Sequence, residues 1–160
     1  MPSSPLMIEI PFLYENLAHA MDYGAELSLT WKVTPRWRIS PGYSYLHATL
    51  RQDPASQGQT TASLATDFPQ TMFQVRSAFN LFHAMEFDQS LYYTARLPGG
   101  SIPGHARLDI RLARQFGEST EISVVGQNLL RARAIEYGSA PFLMGTETMR
   151  SIYGKITWRF

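Results

Sequence analysis

The segment SIYGKITWRF, residues 151–160, alternates apolar and polar residues along its whole length. Its apolar positions are Ile152, Gly154, Ile156, Trp158 and Phe160, and the positions between them are Ser151, Tyr153, Lys155, Thr157 and Arg159. Successive side chains of a β-strand point to opposite faces of the sheet. This period of two therefore predicts a strand with one apolar and one polar face.

The same alternation recurs through the chain and predicts an all-β protein. The segments that carry it are 23–32, 37–50, 71–81, 86–97, 105–116 and 120–130. Together with the C-terminal segment they make seven strands. An apolar stretch at 6–13 predicts a weaker eighth strand, because Pro11 interrupts it and proline cannot donate to a ladder.

The links between these segments alternate in length. Short turns are predicted at 34–36, 82–85 and 117–119, whereas long polar links span 51–69 and 131–147. Parallel strands would need a crossover of about a dozen residues at every link, so the topology is predicted to be antiparallel and up-and-down. Strands of about ten residues with alternately short and long links are typical of a transmembrane β-barrel, and this chain would form a segment of one.

Aromatic residues gather at the end of the sheet that carries the short turns. Trp31 and Trp37 flank the 34–36 turn, and Trp158 and Phe160 end the chain on the same side. Tryptophan and other aromatic residues form girdles at both interfaces of outer-membrane barrels. The four residues therefore predict a girdle at one membrane interface.

Composition excludes several classes of protein. The 160 residues carry 14 Lys+Arg against 13 Asp+Glu, a net charge of +1, which indicates no nucleic-acid partner. Charged residues make up 17% of the chain, below the roughly 25% of a soluble domain, while aromatic residues reach 12%. The absence of cysteine excludes disulfides, thiolate metal sites and a cysteine nucleophile. No window approaches the roughly 18 apolar residues of a membrane helix.

Residues that could carry catalysis or bind a metal are scattered. His19, His47, His83 and His105 lack the spacing that aims two imidazoles at one metal. Glu86 with Asp88, and Glu118 with Glu121, could pair as acid and base, but nothing predicts the buried setting that such work requires. No Gly-x-Ser-x-Gly elbow is present. We therefore predict no catalytic, cofactor or metal site, and no enzyme.

Charged residues on the polar face admit two interpretations. Arg76, Arg107, Asp109 and Arg111 could line a substrate path, or they could pair with one another and with a domain that fills the lumen. We favour pairing, because a filled lumen must neutralise its charges locally. Ligand selectivity is then better sought in the long links at 51–69 and 131–147.

Three stretches resemble the C-terminal β-barrel portion of TonB-dependent outer-membrane receptors. They are YGAELSLTWKVTPRWRISPGYSYL at 23–46, LDIRLARQFGESTEISVVGQNLL at 108–130 and RSIYGKITWRF at 150–160. In that family a Tyr-Gly-Ala-Glu strand leads through a Thr-Pro turn into a Tyr-Ser-Tyr strand. A Gly-Gln-Asn-Leu-Leu strand is next to last, and the last strand ends in an aromatic residue. The resemblance covers most of residues 20–160, in order.

The resemblance implies a transport component of the bacterial outer membrane, without enzymatic activity or a cofactor, that imports a scarce nutrient such as a ferric siderophore. Residues 1–160 would be the C-terminal part of a barrel of roughly 22 strands. The signal peptide, the TonB box and the plug domain are expected to be missing. The implied partners are outer-membrane lipid, the plug and N-terminal barrel strands of the receptor, and TonB only through the missing N-terminal part.

The C-terminal strand also resembles the signal that the barrel assembly machinery reads on outer-membrane proteins. Its carriers are Ile152, Gly154, Ile156, Trp158 and Phe160. Assembly machinery is thus a further implied partner of this segment.

Two other architectures fit the same alternation. A soluble antiparallel β-sandwich serving as a binding module would bury the apolar face against a second sheet and show Greek-key links. A self-contained eight-stranded barrel would use residues 6–13 as its eighth strand, and its interior would be filled by side chains. A sandwich stays in solution without detergent, which separates it from the barrel interpretations.

Overall fold

The computed structural model describes residues 15–56, 68–99, 102–137 and 146–160, and its regular structure there is all β. The strands are β1 Ala18–Ser28, β2 Trp31–Thr34, β3 Trp37–Gln52, β4 Thr71–Asn80, β5 Met85–Thr94, β6 His105–Phe116, β7 Thr120–Gln127, β8 Arg133–Tyr137, β9 Thr146–Met149 and β10 Ser151–Trp158. The predicted all-β class is confirmed. The predicted strand at 6–13 lies outside the described residues.

Most of the described strands form one antiparallel sheet in the order β1-β3-β4-β5-β6-β7-β10, and β8 and β9 form a separate two-stranded sheet. β2 also pairs with β3 and keeps the register of β1: Ser28 lies opposite Gly42, and Trp31 lies opposite Ile39. β1 and β2 are therefore one long strand with a short interruption. Neighbours in the sheet follow one another in sequence, except that the β8–β9 pair lies between β7 and β10, and the predicted up-and-down topology is confirmed.

Tight turns lie at one end of the sheet, as predicted. The β4–β5 turn places His83 and Ala84 at φ of 58° and 56°, the left-handed geometry of a tight hairpin, and the β6–β7 turn places Gly117 at 61°. The end of the chain joins them, since the Arg159 amide donates to the Ser119 carbonyl at 2.8 Å. The longer links lie at the opposite end.

The structure corrects the prediction of a long polar loop at 131–147. Part of that stretch forms the hairpin β8–β9, in which Arg133 lies opposite Met149. The hairpin prolongs the β7–β10 pair beyond the sheet: Ser151 pairs with Gln127, and the Arg150 amide donates to the Ala132 carbonyl at 3.0 Å. The strand predicted to reach residue 130 ends at 127, because Asn128 adopts a left-handed φ of 52°.

The sheet is open, and within the described residues it is not closed into a barrel. Its edges are β1 and β10. Six antiparallel pairings separate these two strands, so they run in the same direction. Large apolar side chains are seldom buried in the described residues, where the buried apolar residues are Leu97, Ile102 and Ala113. Among the described residues, the sheet is thus a single layer without a core on either side.

Candidate functional site

One face of the sheet is almost continuously apolar and exposed. Its side chains include Leu27, Trp31, Tyr43, Phe73, Leu91, Leu112, Ile122, Val124, Ile152, Ile156 and Trp158. On the edge strand β10, Ile152 and Ile156 are 72% and 73% exposed. An apolar surface of this extent on a soluble protein marks a site of contact with a partner or a membrane. We call it the apolar face.

The opposite, polar face is the more enclosed one. Ala113 on β6 and Ser123 on β7 lie on this face and are 2% exposed, whereas Leu112 and Ile122 beside them on the apolar face are exposed. Three cavities, of about 510, 470 and 240 Å³, are lined mainly by polar-face residues. Cavities of this size mark the polar face as the concave side of the sheet. Soluble sheets bury apolar residues on the enclosed side, so the arrangement here is inverted.

The aromatic residues predicted to form a girdle lie at the short-turn end, Trp31 and Trp37 toward one edge of the sheet and Trp158 and Phe160 at the other. The Trp37 indole nitrogen donates to the Ser77 hydroxyl at 3.0 Å, and its ring packs edge-on against Phe79 at 6.3 Å. The ring centroids of Trp158 and Phe160 are 5.7 Å apart at the end of the chain. Trp37 is half-buried with a satisfied N–H, and Trp158 is exposed. Both suit a boundary between an apolar and a wet phase.

Arg111 forms ion pairs with three carboxylates on the polar face. Its guanidinium lies 2.9 Å from Glu86, 2.7 Å from Asp88 and 2.7 Å from Glu121, so it links β5, β6 and β7. Of the polar-face charges predicted to pair with one another, Arg107 and Asp109 do so at 2.7 Å. Arg111 pairs instead with carboxylates outside that set, and Arg76 takes part in none of the ion pairs of the described residues. Glu86 and Asp88, considered above as an acid–base pair, are both ion-paired with Arg111, which gives the two carboxylates a structural role.

A second network ties the sheet to the β8–β9 hairpin. Arg107 donates to both carboxylate oxygens of Asp109. The Asp109 carboxylate also accepts a hydrogen bond from the backbone N–H of Asn128 at 2.9 Å. The fully buried Asn128 side chain donates to the Thr148 carbonyl at 2.9 Å. Sequence reasoning missed Asn128. Asparagine tolerates the left-handed conformation, so its place just after an alternating strand was the available signal.

The other sequence candidates remain apart. His19, His47, His83 and His105 lie on β1, on β3, in the β4–β5 turn and on β6, and in the described part of the chain no group of three or more His, Asp or Glu could hold a metal ion. Ile152, Gly154, Ile156 and Trp158 line the apolar face of β10, and Phe160 is fully exposed beyond its end. Across the described residues no helix is long and apolar enough to cross a membrane.

The comparisons with known proteins find no protein-family model and no curated protein that matches this chain.

Proposed function

We propose that the chain is part of the wall of a transmembrane β-barrel in the bacterial outer membrane. We further propose that this barrel is the C-terminal portion of a TonB-dependent receptor that imports a scarce nutrient such as a ferric siderophore. The chain would contribute strands that face lipid on one side and the lumen on the other, and it would have no enzymatic activity.

The inverted burial of the two faces is the observation that carries this proposal. An apolar convex face and a polar concave face are the arrangement that a barrel in lipid requires, because lipid replaces the hydrophobic core. A soluble barrel or sandwich needs the reverse. A sandwich would also cover the apolar face with a second sheet, and within the described residues the large side chains of that face are exposed instead.

Strand direction favours a barrel wider than this sheet. β1 and β10 run in the same direction, so pairing them directly would be parallel, and antiparallel closure needs an odd number of further strands. One extra strand would make a barrel of eight, whose interior is filled by side chains. On the polar face, however, Met72 and Tyr153 are exposed. Three or more further strands therefore fit better than one.

The assignment to transport rests on the resemblance in the stretches 23–46, 108–130 and 150–160. The plug and N-terminal strands of the receptor would close the wall, and TonB would act through that N-terminal part. Outer-membrane lipid would cover the apolar face, and the barrel assembly machinery would read the C-terminal strand.

The test has two arms in the source bacterium. The first follows the chain by antibody through membrane fractionation, and we expect it in the outer membrane and resistant to urea washing. The second disrupts the gene and measures uptake of labelled ferric siderophores and of vitamin B12, one of which should fall. Recovery in the soluble fraction would contradict the barrel, whereas outer-membrane location with every uptake rate unchanged would contradict the receptor.

A further inference from the structure

Three cations occupy neighbouring positions on the polar face near the short turns. Lys32 on β2 lies directly opposite Arg38 on β3. Arg38 pairs with Ala78 of β4, and Arg76 lies two residues further along that strand, at the diagonal position. Side chains at opposite and diagonal positions of a sheet reach one another, and like charges there repel. The cluster is therefore costly unless an anion lies among its members.

No carboxylate of the described residues supplies that anion. Lys32, Arg38 and Arg76 form none of the ion pairs found within the described ranges. The nearest acidic position on the neighbouring strand is Asp88, which lies opposite Ala78 and thus diagonal to Arg76. Its carboxylate is held instead by Arg111, at 2.7 Å. Arg111 holds the acidic groups of β5 and β7 that it pairs with, and within the described ranges no ion pair reaches the cations of β2–β4.

A cavity with hydroxyl groups lies at this cluster. Its volume is about 470 Å³, and its lining includes Arg38, Arg76, Thr30, Ser40 and Ser90. The Thr30 and Ser40 hydroxyls hydrogen-bond to each other at 3.3 Å, so one of the two keeps its O–H free to donate to a ligand. Guanidinium groups bind carboxylate and phosphate through paired N–H donors, and hydroxyls add further donors at little cost.

We propose that Arg38 and Arg76 form a binding site for a small oxyanion, a phosphate or carboxylate group, on the polar face. The guanidinium groups contact the anion, the Thr30, Ser40 and Ser90 hydroxyls complete its hydrogen bonds, and Lys32 adds charge. Asp88 lines the same cavity and opposes binding, because it is the one carboxylate there. The site requires only the folded sheet, so it stands or falls independently of the membrane location proposed above.

The experiment titrates inorganic phosphate, and citrate as the carboxylate probe, into the protein purified in detergent from whichever fraction it occupies. Calorimetry at low ionic strength measures the affinity. Arg38→Gln and Arg76→Gln should each weaken binding about tenfold, since each removes a charge-assisted contact. Asp88→Asn should tighten it about two- to threefold, because repulsion is removed while Arg111 keeps its other two carboxylates.

Arg36→Gln is the matched control. Arg36 lies in the β2–β3 turn, where its guanidinium stacks on Phe82 at 5.0 Å, outside the cavity. Its removal takes away the same charge and should leave the affinity unchanged. The site is refuted if neither probe binds, if Arg36→Gln weakens binding as much as Arg76→Gln, or if Asp88→Asn weakens it. The Asp88 and Arg36 variants keep the test decisive even if an arginine variant fails to fold.

Discussion

Two arginine substitutions on the last strand compare its two faces directly. Ile156 lies on the apolar face, 73% exposed and opposite Ile122 of β7, whereas Thr157 lies on the polar face opposite Glu121. Ile156→Arg and Thr157→Arg add the same charge one residue apart. They differ only in the face on which the charge lies.

The expected loss of unfolding free energy follows from the depth of each residue in the membrane. If Phe160 lies at the interface and the strand is tilted by about 45°, each residue climbs roughly 2.3 Å, so Ile156 lies about 9 Å into an apolar band about 25 Å tall. An arginine facing lipid near the middle of that band costs about 2 to 4 kcal/mol. At position 157 the new guanidinium can reach Glu121 and the wet lumen, so Thr157→Arg should cost less than about 1 kcal/mol.

The assay is equilibrium unfolding in urea of the proposed receptor, reconstituted in lipid vesicles, with each variant compared with wild type. We expect Ile156→Arg to lower the free energy of unfolding by at least about 2 kcal/mol more than Thr157→Arg. Equal losses, or a larger loss at position 157, would refute the assignment of the lipid and lumen faces.

Four further outcomes are expected. The isolated chain should aggregate in plain buffer and need detergent, since its edges and apolar face are unprotected; sedimentation of a monomer with a sharp unfolding transition would contradict this. Deletion of Phe160 from the full receptor should lower its amount in the outer membrane by immunoblot, and unchanged surface levels with reduced uptake would overturn the assembly role. Asn128→Ala should speed hydrogen exchange in β8–β9 and lower the free energy of unfolding by about 1 to 3 kcal/mol. Asn128→Gly tolerates the left-handed φ but lacks the side-chain donor, so it separates the loss of the hydrogen bond from backbone strain. Arg111→Met should cost about 1 to 3 kcal/mol in chemical unfolding, because three carboxylates lose their shared cation, and an unchanged midpoint would show that solvent already screens them.

Strands could be predicted from the sequence wherever local alternation determines them. The pleat makes the side-chain period two, so 105–116 was identified with the bounds that β6 has. Errors came where the backbone leaves the β conformation. β5 ends at Thr94 rather than 97, because the Leu97 amide turns to donate to the Ile102 carbonyl at 3.1 Å, and β7 ends before Asn128.

Features that depend on distant partners were out of reach. The β8–β9 hairpin consists of short strands whose pairing continues the β7–β10 ladder, so it depends on the pairing of β7 with β10, which are far from each other in sequence. Pairing among polar-face charges was predicted, but the choice of Arg111 as the hub depends on the register of three strands. Arg38 and Arg76 lack an ion pair within the described residues because Asp88 pairs with Arg111 instead, and only the strand register shows this.

Lipid accessibility along β10 tests the central claim most directly. These 160 residues contain no cysteine, so single cysteines can be placed at each of residues 151–158 and spin-labelled in the proposed receptor, reconstituted with any cysteine outside this chain replaced by serine. Collisions with oxygen, which concentrates in lipid, should peak at 152, 154, 156 and 158, while collisions with a water-soluble nickel reagent should peak at the positions between them. Peaks in the opposite phase, or no alternation of either signal, would contradict an apolar face in contact with lipid.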